Sequence, residues 1–262
     1  MPFRYTEQHR IEYERDGLTI LRGLIPVSLL AALRRETDKA REIARRQHGP
    51  QAQRLQPVYA YEELDAQAFR DFLGLPGMQA TVLGILGSDH HPSDIMGVLL
   101  EPERDAWCTA WHRDWGYNAP HVDVDAFFQA VPNLRLFNQL NAALYDDHSL
   151  WVVPGSHIRK DTPEERAPFA SIPPPAPRLR ADMEAGERER ICMDYVRGMP
   201  GAVSVALFAG DVAFYRACGW HLGNYVPYTR RATLHDGFYS QEDLDWQAAV
   251  RRRQEAAHAG AP

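Results

Sequence analysis

The chain has 262 residues, 45% of them hydrophobic, which is enough to bury a sizeable core. Its net charge of −6, with Lys39 and Lys160 the only lysines, argues against a nucleic-acid-binding surface, and there is no apolar run of ~18 residues to span a membrane. Cys108, Cys192 and Cys218 are odd in number and widely spaced, so neither a disulfide framework nor a zinc knuckle is predicted, and a reducing compartment fits.

In chain order, Met1 to Glu7 lacks a basic segment followed by an apolar one, so a secretory signal is not read and a cytoplasmic location is expected. From Ser28, taken as an N-cap, Leu29, Leu30, Leu33 and Ala40 recur at helical spacing through Arg46. Further helices are predicted over 66–73 and from Pro76 to Gly87. The chain then turns strand-rich, with strands expected over 95–100, 106–112, 134–144, 151–153, 203–208, 212–215 and 231–239. Between them, 158–190 carries Pro163, Pro168, Pro173, Pro174, Pro175 and Pro177 among charged residues. It cannot be a sheet strand and is expected to form a lid or substrate loop, or else a surface excursion. A surface helix is predicted over 241–257, with Arg251, Arg252 and Arg253 on a solvated face. Many short strands separated by turns fit a jelly-roll barrel in one domain, with helical support over about 1–90, the barrel over about 91–240 and a terminal helix over about 241–258.

Two segments carry metal-ligand chemistry. In Trp111-His112-Arg113-Asp114-Trp115 a strand would set His112 and Asp114 on one face and Arg113 on the other. A second imidazole, His221, lies far downstream, after the apolar run that ends at Tyr215. Two imidazoles and one carboxylate on one side of an ion leave open positions, the arrangement of non-haem Fe(II) oxygenases. The spacing alone is weak, because His121-Val122-Asp123 repeats it. Within the strand from Leu134, Gln139 and Asn141 share one face. They are candidates for contacting a co-substrate or substrate, with satisfied interior polar groups as the alternative.

The order of several segments resembles the phytanoyl-CoA dioxygenase family of Fe(II)- and 2-oxoglutarate-dependent oxygenases. They are Tyr13 through Ile25, Trp111 through Tyr117, Leu150-Trp151-Val152-Val153-Pro154-Gly155-Ser156-His157, Gly210-Asp211-Val212, and His221 with Asn224 and the pair Arg230-Arg231. Pro-Gly-Ser-His is the most diagnostic string. The resemblance covers most of the chain and implies a double-stranded β-helix whose mouth holds the metal. It implies that His112, Asp114 and His221 bind iron and that 13–25 forms an opening strand. It further implies that an arginine after the distal histidine binds the far carboxylate of 2-oxoglutarate, a task suited to the planar guanidinium fork. Arg230 is favoured over Arg231 by aligning Asn224, and only one of the two can point inward.

The resemblance also implies the reaction: O2 and 2-oxoglutarate are consumed, succinate and CO2 are formed, and an unactivated C–H of a small-molecule substrate is oxidised. Asp114 argues for hydroxylation, desaturation or cyclisation over halogenation, for which relatives carry a small residue there. The chain departs from the family pattern in two ways. The connection from His221 to the arginines is about two residues shorter, and the Asn-Gly turn before the Pro-Gly-Ser-His strand is missing. His157 is expected to be structural, and His148 and His235 to lie outside the ligand set. Trp111, Trp115, Tyr117, Trp151 and Trp220 are read as core packing ahead of a substrate wall. A cupin-like divalent-metal protein of another class, an isomerase, hydrolase or ligand binder, is the alternative, and the arginine after His221 distinguishes the two.

Overall fold

Among the described residues, four α-helices lie in the first third of the chain, one more than the apolar spacing predicts there. The computed structural model describes residues 3–114, 123–166 and 176–259. Helix α1 (Glu7–Asp16) has no apolar stripe, Tyr13 being its one buried residue, which is why periodicity misses it. Gly17 ends α1 at φ 77°, and strand β1 (Leu18–Leu21) follows, much shorter than the 13–25 expected. Helix α2 (Val27–His48) buries Leu30, Leu33, Thr37, Ala40 and Ala44 along one side. Its N-cap position is Pro26, so Ser28 lies inside the first turn and is not the cap. Helices α3 (Ala66–Leu73) and α4 (Pro76–Ile85) keep to their predicted ranges within two residues. The Asp65 side chain caps the first, and Pro76 opens the second.

The strands are β2 (Arg54–Leu55), β3 (His91–Pro92), β4 (Gly97–Leu100), β5 (Trp107–Cys108), β6 (Asn138–Ala143) and β7 (Leu150–Val152), then β8 (Val203–Ser204), β9 (Val212–Arg216), β10 (His221–Tyr225), β11 (Ala232–Asp236) and β12 (Phe238–Tyr239). They pair antiparallel into a six-stranded sheet ordered β1-β9-β6-β11-β4-β2, a four-stranded sheet ordered β5-β10-β7-β8, and the pair β12-β3. Alternation sorts the faces of the large sheet. Val98, Leu100, Leu140, Ala142, Phe214 and Leu234 turn outward and pack with Leu33, Phe69 and Phe72 of the helices. On the other face Ala143, Ala213 and Tyr215 meet Leu150 and Val152 of the small sheet. The two sheets thus oppose each other as in a jelly roll, but among the described residues no hydrogen-bonded closure makes them a barrel.

Several expected elements change. His112 makes a lone bridge to His221 and Asp114 sits in a turn, so the strand expected over 106–112 is regular only at Trp107–Cys108. Strand β6 begins at Asn138, not Leu134, because Phe137 adopts φ 64°. Helix α5 (Val124–Ala130) and strand β10 are found only in the structure. The 158–190 stretch is not uniformly irregular. A short helix α6 (Pro163–Arg166) lies within it, and helix α7 (Ala185–Arg197) begins inside it and buries Arg188, Cys192 and Val196. Pro168, Pro173, Pro174 and Pro175 fall outside the described residues. Helix α8 (Gln241–Ala259) closes the chain. Among the described residues, no helix is long and apolar enough to cross a membrane.

Candidate metal centre

Two local devices bring the ligand segments together. In the Pro-Gly-Ser-His string, Gly155 takes φ 73°, and the buried Ser156 hydroxyl donates to Val153 O (2.6 Å) and accepts from Trp220 N (2.9 Å). This ties the string to the start of β10, where His221 lies. Arg113 points away from the ligand face, as alternation predicts, and is fully buried. Its guanidinium donates to Ser156 O (2.7 Å), Cys218 O (2.8 Å) and Asp161 (2.9 Å), with the Trp220 ring 5.0 Å away. Arg113 therefore locks the His112–Asp114 turn onto both the Pro-Gly-Ser-His string and the segment that leads into the distal histidine.

The ligand atoms of His112, Asp114 and His221 lie within 4.8 Å of one another. His112 Nε2 is 3.6 Å from Asp114 Oδ1, and His221 Nε2 is 3.8 Å from Asp114 Oδ2. Donors at right angles on one ion would sit ~3 Å apart, so a small inward movement of these side chains accommodates a cation. Each imidazole is oriented by its other nitrogen. His112 Nδ1 donates to Ala110 O (2.7 Å) and His221 Nδ1 to Gly219 O (3.0 Å), which leaves both Nε2 lone pairs for a metal. Burial, then the nearby His112, holds the His221 pKa down at about 4, so this ring is neutral at pH 7. Burial pushes the Asp114 carboxyl up, but His221, His112 and the hydrogen bond from Gln139 outweigh it and keep the group ionised. The donor set fits a divalent transition metal.

Behind the ligands runs a polar chain. Gln139 Nε2 donates to Asp114 Oδ2 (2.8 Å), Tyr215 OH donates to Gln139 Oε1 (2.5 Å), and Asn141 Nδ2 donates to Tyr215 OH (3.5 Å). His235 Nδ1 and Asn141 Oδ1 are 2.8 Å apart. Gln139 and Asn141 thus do share the inner face, but they spend polar atoms on Asp114, Tyr215 and His235. Burial and the Asp114 charge raise the Tyr215 phenol, which stays protonated as a donor.

Two cavities of about 290 Å³ each flank Asp114, sharing Arg54, Gln139 and His235 in their walls. One also contains His112, His221 and Arg231. Here the preference for Arg230 is corrected. Arg230 is half exposed and pairs outward with Asp38 at 2.5 Å, whereas Arg231 is buried and lines the cavity. Its Nε donates to Asp147 (3.2 Å), the Tyr225 ring lies 4.9 Å away, and its Nη groups meet no protein acceptor among the described residues. Its backbone is clamped, with Arg231 N donating to Glu101 (2.9 Å) and Arg41 donating to Arg231 O (2.9 Å). The physical reason lies in β11. Ala232 and Leu234 face the helices, so Arg231, Thr233 and His235 turn inward. That alternation was a readable signal for both Arg231 and His235, whereas Arg54 and Tyr225 carried none.

Asp123 of the competing pair caps α5 by accepting from Ala126 N (3.0 Å), and His121 lies outside the described residues, as do Trp115 and Tyr117. His157 is buried, with Nε2 on Glu14 O (3.1 Å), and His148 is exposed. Trp111, Trp151 and Trp220 pack together in one core cluster.

No family model matches the chain, and no curated protein matches it in sequence. Solved structures do share its fold. AviO1 from Streptomyces viridochromogenes Tue57 has TM-score 0.58 at 17% identity, over 92% of this chain and 97% of that one. SnoN, described as a non-heme alpha ketoglutarate dependent epimerase from nogalamycin biosynthesis, has TM-score 0.57 at 19% identity, over 89% and 80%. EctD from S. alaskensis, solved with 2-oxoglutarate and 5-hydroxyectoine, has TM-score 0.59 at 14% identity, over 91% and 77%. At such identities the likeness defines a fold, shared with non-heme, alpha-ketoglutarate-dependent enzymes; the resemblance to the phytanoyl-CoA dioxygenase family rests on the motifs.

Proposed function

We propose that the chain is an Fe(II)- and 2-oxoglutarate-dependent dioxygenase that oxidises, most simply hydroxylates, an unactivated C–H bond of a small molecule. The same reading takes it as one catalytic domain acting in the cytoplasm. The observation that carries it is a single cavity containing His112, Asp114, His221 and the inward guanidinium of Arg231. Support also comes from fold neighbours whose structures hold such groups: SnoN with Fe3+, alpha ketoglutarate and nogalamycin RO, and EctD with 2-oxoglutarate.

When bound, iron and 2-oxoglutarate supply the oxidising chemistry, the oxo acid losing CO2 to give succinate as O2 is reduced. The protein's own residues position. His112, Asp114 and His221 hold the metal, and Gln139 orients the Asp114 carboxylate by donating to Oδ2. Arg231 offers its Nη fork to the far carboxylate of 2-oxoglutarate, while Asp147 holds the guanidinium from behind. The buried wall around it excludes water, so that charge-assisted hydrogen bonds count for more.

Anaerobic addition of Fe(II) and then 2-oxoglutarate to the purified protein tests this. The expected result is a weak visible charge-transfer band that disappears, with succinate formation, when O2 is admitted. Metal binding without the band would instead support a divalent-metal protein of another class. Absence of metal binding would overturn the site itself.

A further inference from the structure

Arg54 lies on β2, an edge of the large sheet, directly opposite Leu99. Strand alternation buries Leu55 among the helices and turns Arg54 to the other face, where both it and Leu99 line the metal-side cavity. Arg54 lines the second cavity as well, so this solvent-exposed residue stands at the wall common to both. Its charge reaches the buried interior: after burial, Arg54 is the main influence holding the His235 imidazole down at about 3. The other arginines near the site have carboxylate partners. Arg231 has Asp147, Arg41 has Glu101 and Arg230 has Asp38. Arg54 has no ion pair or side-chain hydrogen bond among the described residues.

The second cavity has Asp114 in its wall and Phe137, Tyr239, Trp246 and Ile95 as ring and apolar surface. Its two further carboxylates do not make it a cation site. Asp243 is spent on Phe137 N and on the amide and hydroxyl of Ser240. Asp236 accepts from Ser93 and from Gly237 N, and burial lifts it to about 7. We propose that Arg54 is the specificity-determining anchor for an anionic group on the substrate, which is a small, ring-bearing organic acid whose body lies along Phe137, Tyr239 and Trp246. This rests on the dioxygenase reading above, which assigns the metal-side cavity and Arg231 to 2-oxoglutarate. The two arginines then divide the work, one for each anion.

The test compares wild type with Arg54→Gln and Arg54→Lys, each loaded with redox-inert Ni(II) and 2-oxoglutarate. Ligand-observed NMR follows titration with 3-phenylpropanoate, phenyl phosphate and the neutral 3-phenylpropanamide. At least one anion is expected to bind wild type about tenfold or more tighter than the amide. Arg54→Gln should erase that advantage and Arg54→Lys keep most of it. The 2-oxoglutarate affinity, read from the Fe(II) charge-transfer band, should change less than about twofold in either variant. Equal binding of anions and amide, anion binding unchanged in Arg54→Gln, or no binding of any probe would overturn the proposal, as would a large loss of 2-oxoglutarate affinity in Arg54→Gln. Absence of the band in wild type is a separate failure, that of the dioxygenase reading, and the same NMR comparison on the metal-free protein still decides the role of Arg54.

Discussion

His112 and Asp123 both belong to a His-x-Asp pair, yet their surroundings assign them opposite work. His112 has Nδ1 fixed on Ala110 O and Nε2 facing Asp114, whereas the Asp123 carboxylate caps α5. Alanine at His112, Asp114 or His221 should therefore weaken metal binding by about 100-fold or more in calorimetric titration. Asp123→Ala should leave metal affinity intact and cost ~1 kcal/mol of stability through the lost cap. The two arginines separate in the same way. Arg231→Ala should raise the 2-oxoglutarate dissociation constant by roughly 30-fold or more, while the outward Arg230→Ala changes it little. An inverted ranking would refute the inward assignment of Arg231. His157 carries a pH dependence. Its folded pKa is depressed to about 4, by burial first and then by Arg216, so as pH falls below ~6.5 the unfolded chain takes up the proton before the folded one does. This contribution to stability is complete above ~6.5 and declines until pH ~4, by up to ~3 kcal/mol. Urea unfolding of His157→Gln should show a shallower loss over that window than wild type, since Gln can still donate to Glu14 O but does not titrate. Identical slopes would exclude His157 as the source.

Among elements, the contact between the end of α1 and the Pro-Gly-Ser-His string is the tightest constraint on the site. Gly17 ends α1 at φ 77°, and a Cβ there would lie 2.5 Å from His157 Nδ1. Gly155 N in turn donates to Asp16 O at 3.0 Å. Gly17→Ala meets both a left-handed backbone and a collision with a buried ring, so a loss of ~2 kcal/mol or more is expected in chemical denaturation. A change under ~0.5 kcal/mol would mean that α1 moves freely against the string. The same contact shows how the Pro-Gly-Ser-His string supports the site without touching a candidate ligand: its Ser156 and Gly155 join α1, β10 and Arg113 into one unit. Helix α7 does comparable work on the other side, burying Cys192 and Val196 with Cys108, Trp111 and Trp220 behind the ligand segments.

For the whole molecule, the candidate metal ligands span separate segments. His221 opens β10 of the small sheet, Asp114 N donates to Ala217 O at 2.8 Å just beyond β9, and Gln139 reaches Asp114 from β6 of the large sheet. A metal held there would therefore couple the two sheets, and its binding free energy would add to folding stability. At a free metal concentration 100 times the dissociation constant the gain is ~2.7 kcal/mol, which should raise Tm by about 5–8 °C. The same addition to His221→Ala should raise Tm by no more than about 1 °C, and an equal rise there would point to metal bound elsewhere.

Local order along the chain was enough to determine the apolar-striped helices α2, α3 and α4, the strand-rich remainder and the residue types of the candidate metal triad. These depend on i, i+2 and i, i+3/i+4 relations that a sequence displays directly. Helix α1, with one buried residue, and helix α5, held by a single cap, lacked that signal. Strand β10, with Gly223 and Asn224 among its five residues, did not read as a strand either. The capping role of Asp123, the outward pairing of Arg230 with Asp38, and the position of Arg54 at the wall of two cavities were decided only by tertiary structure. Each depends on which face of a strand is covered by helices and on contacts between residues far apart in the chain, and no local spacing encodes those.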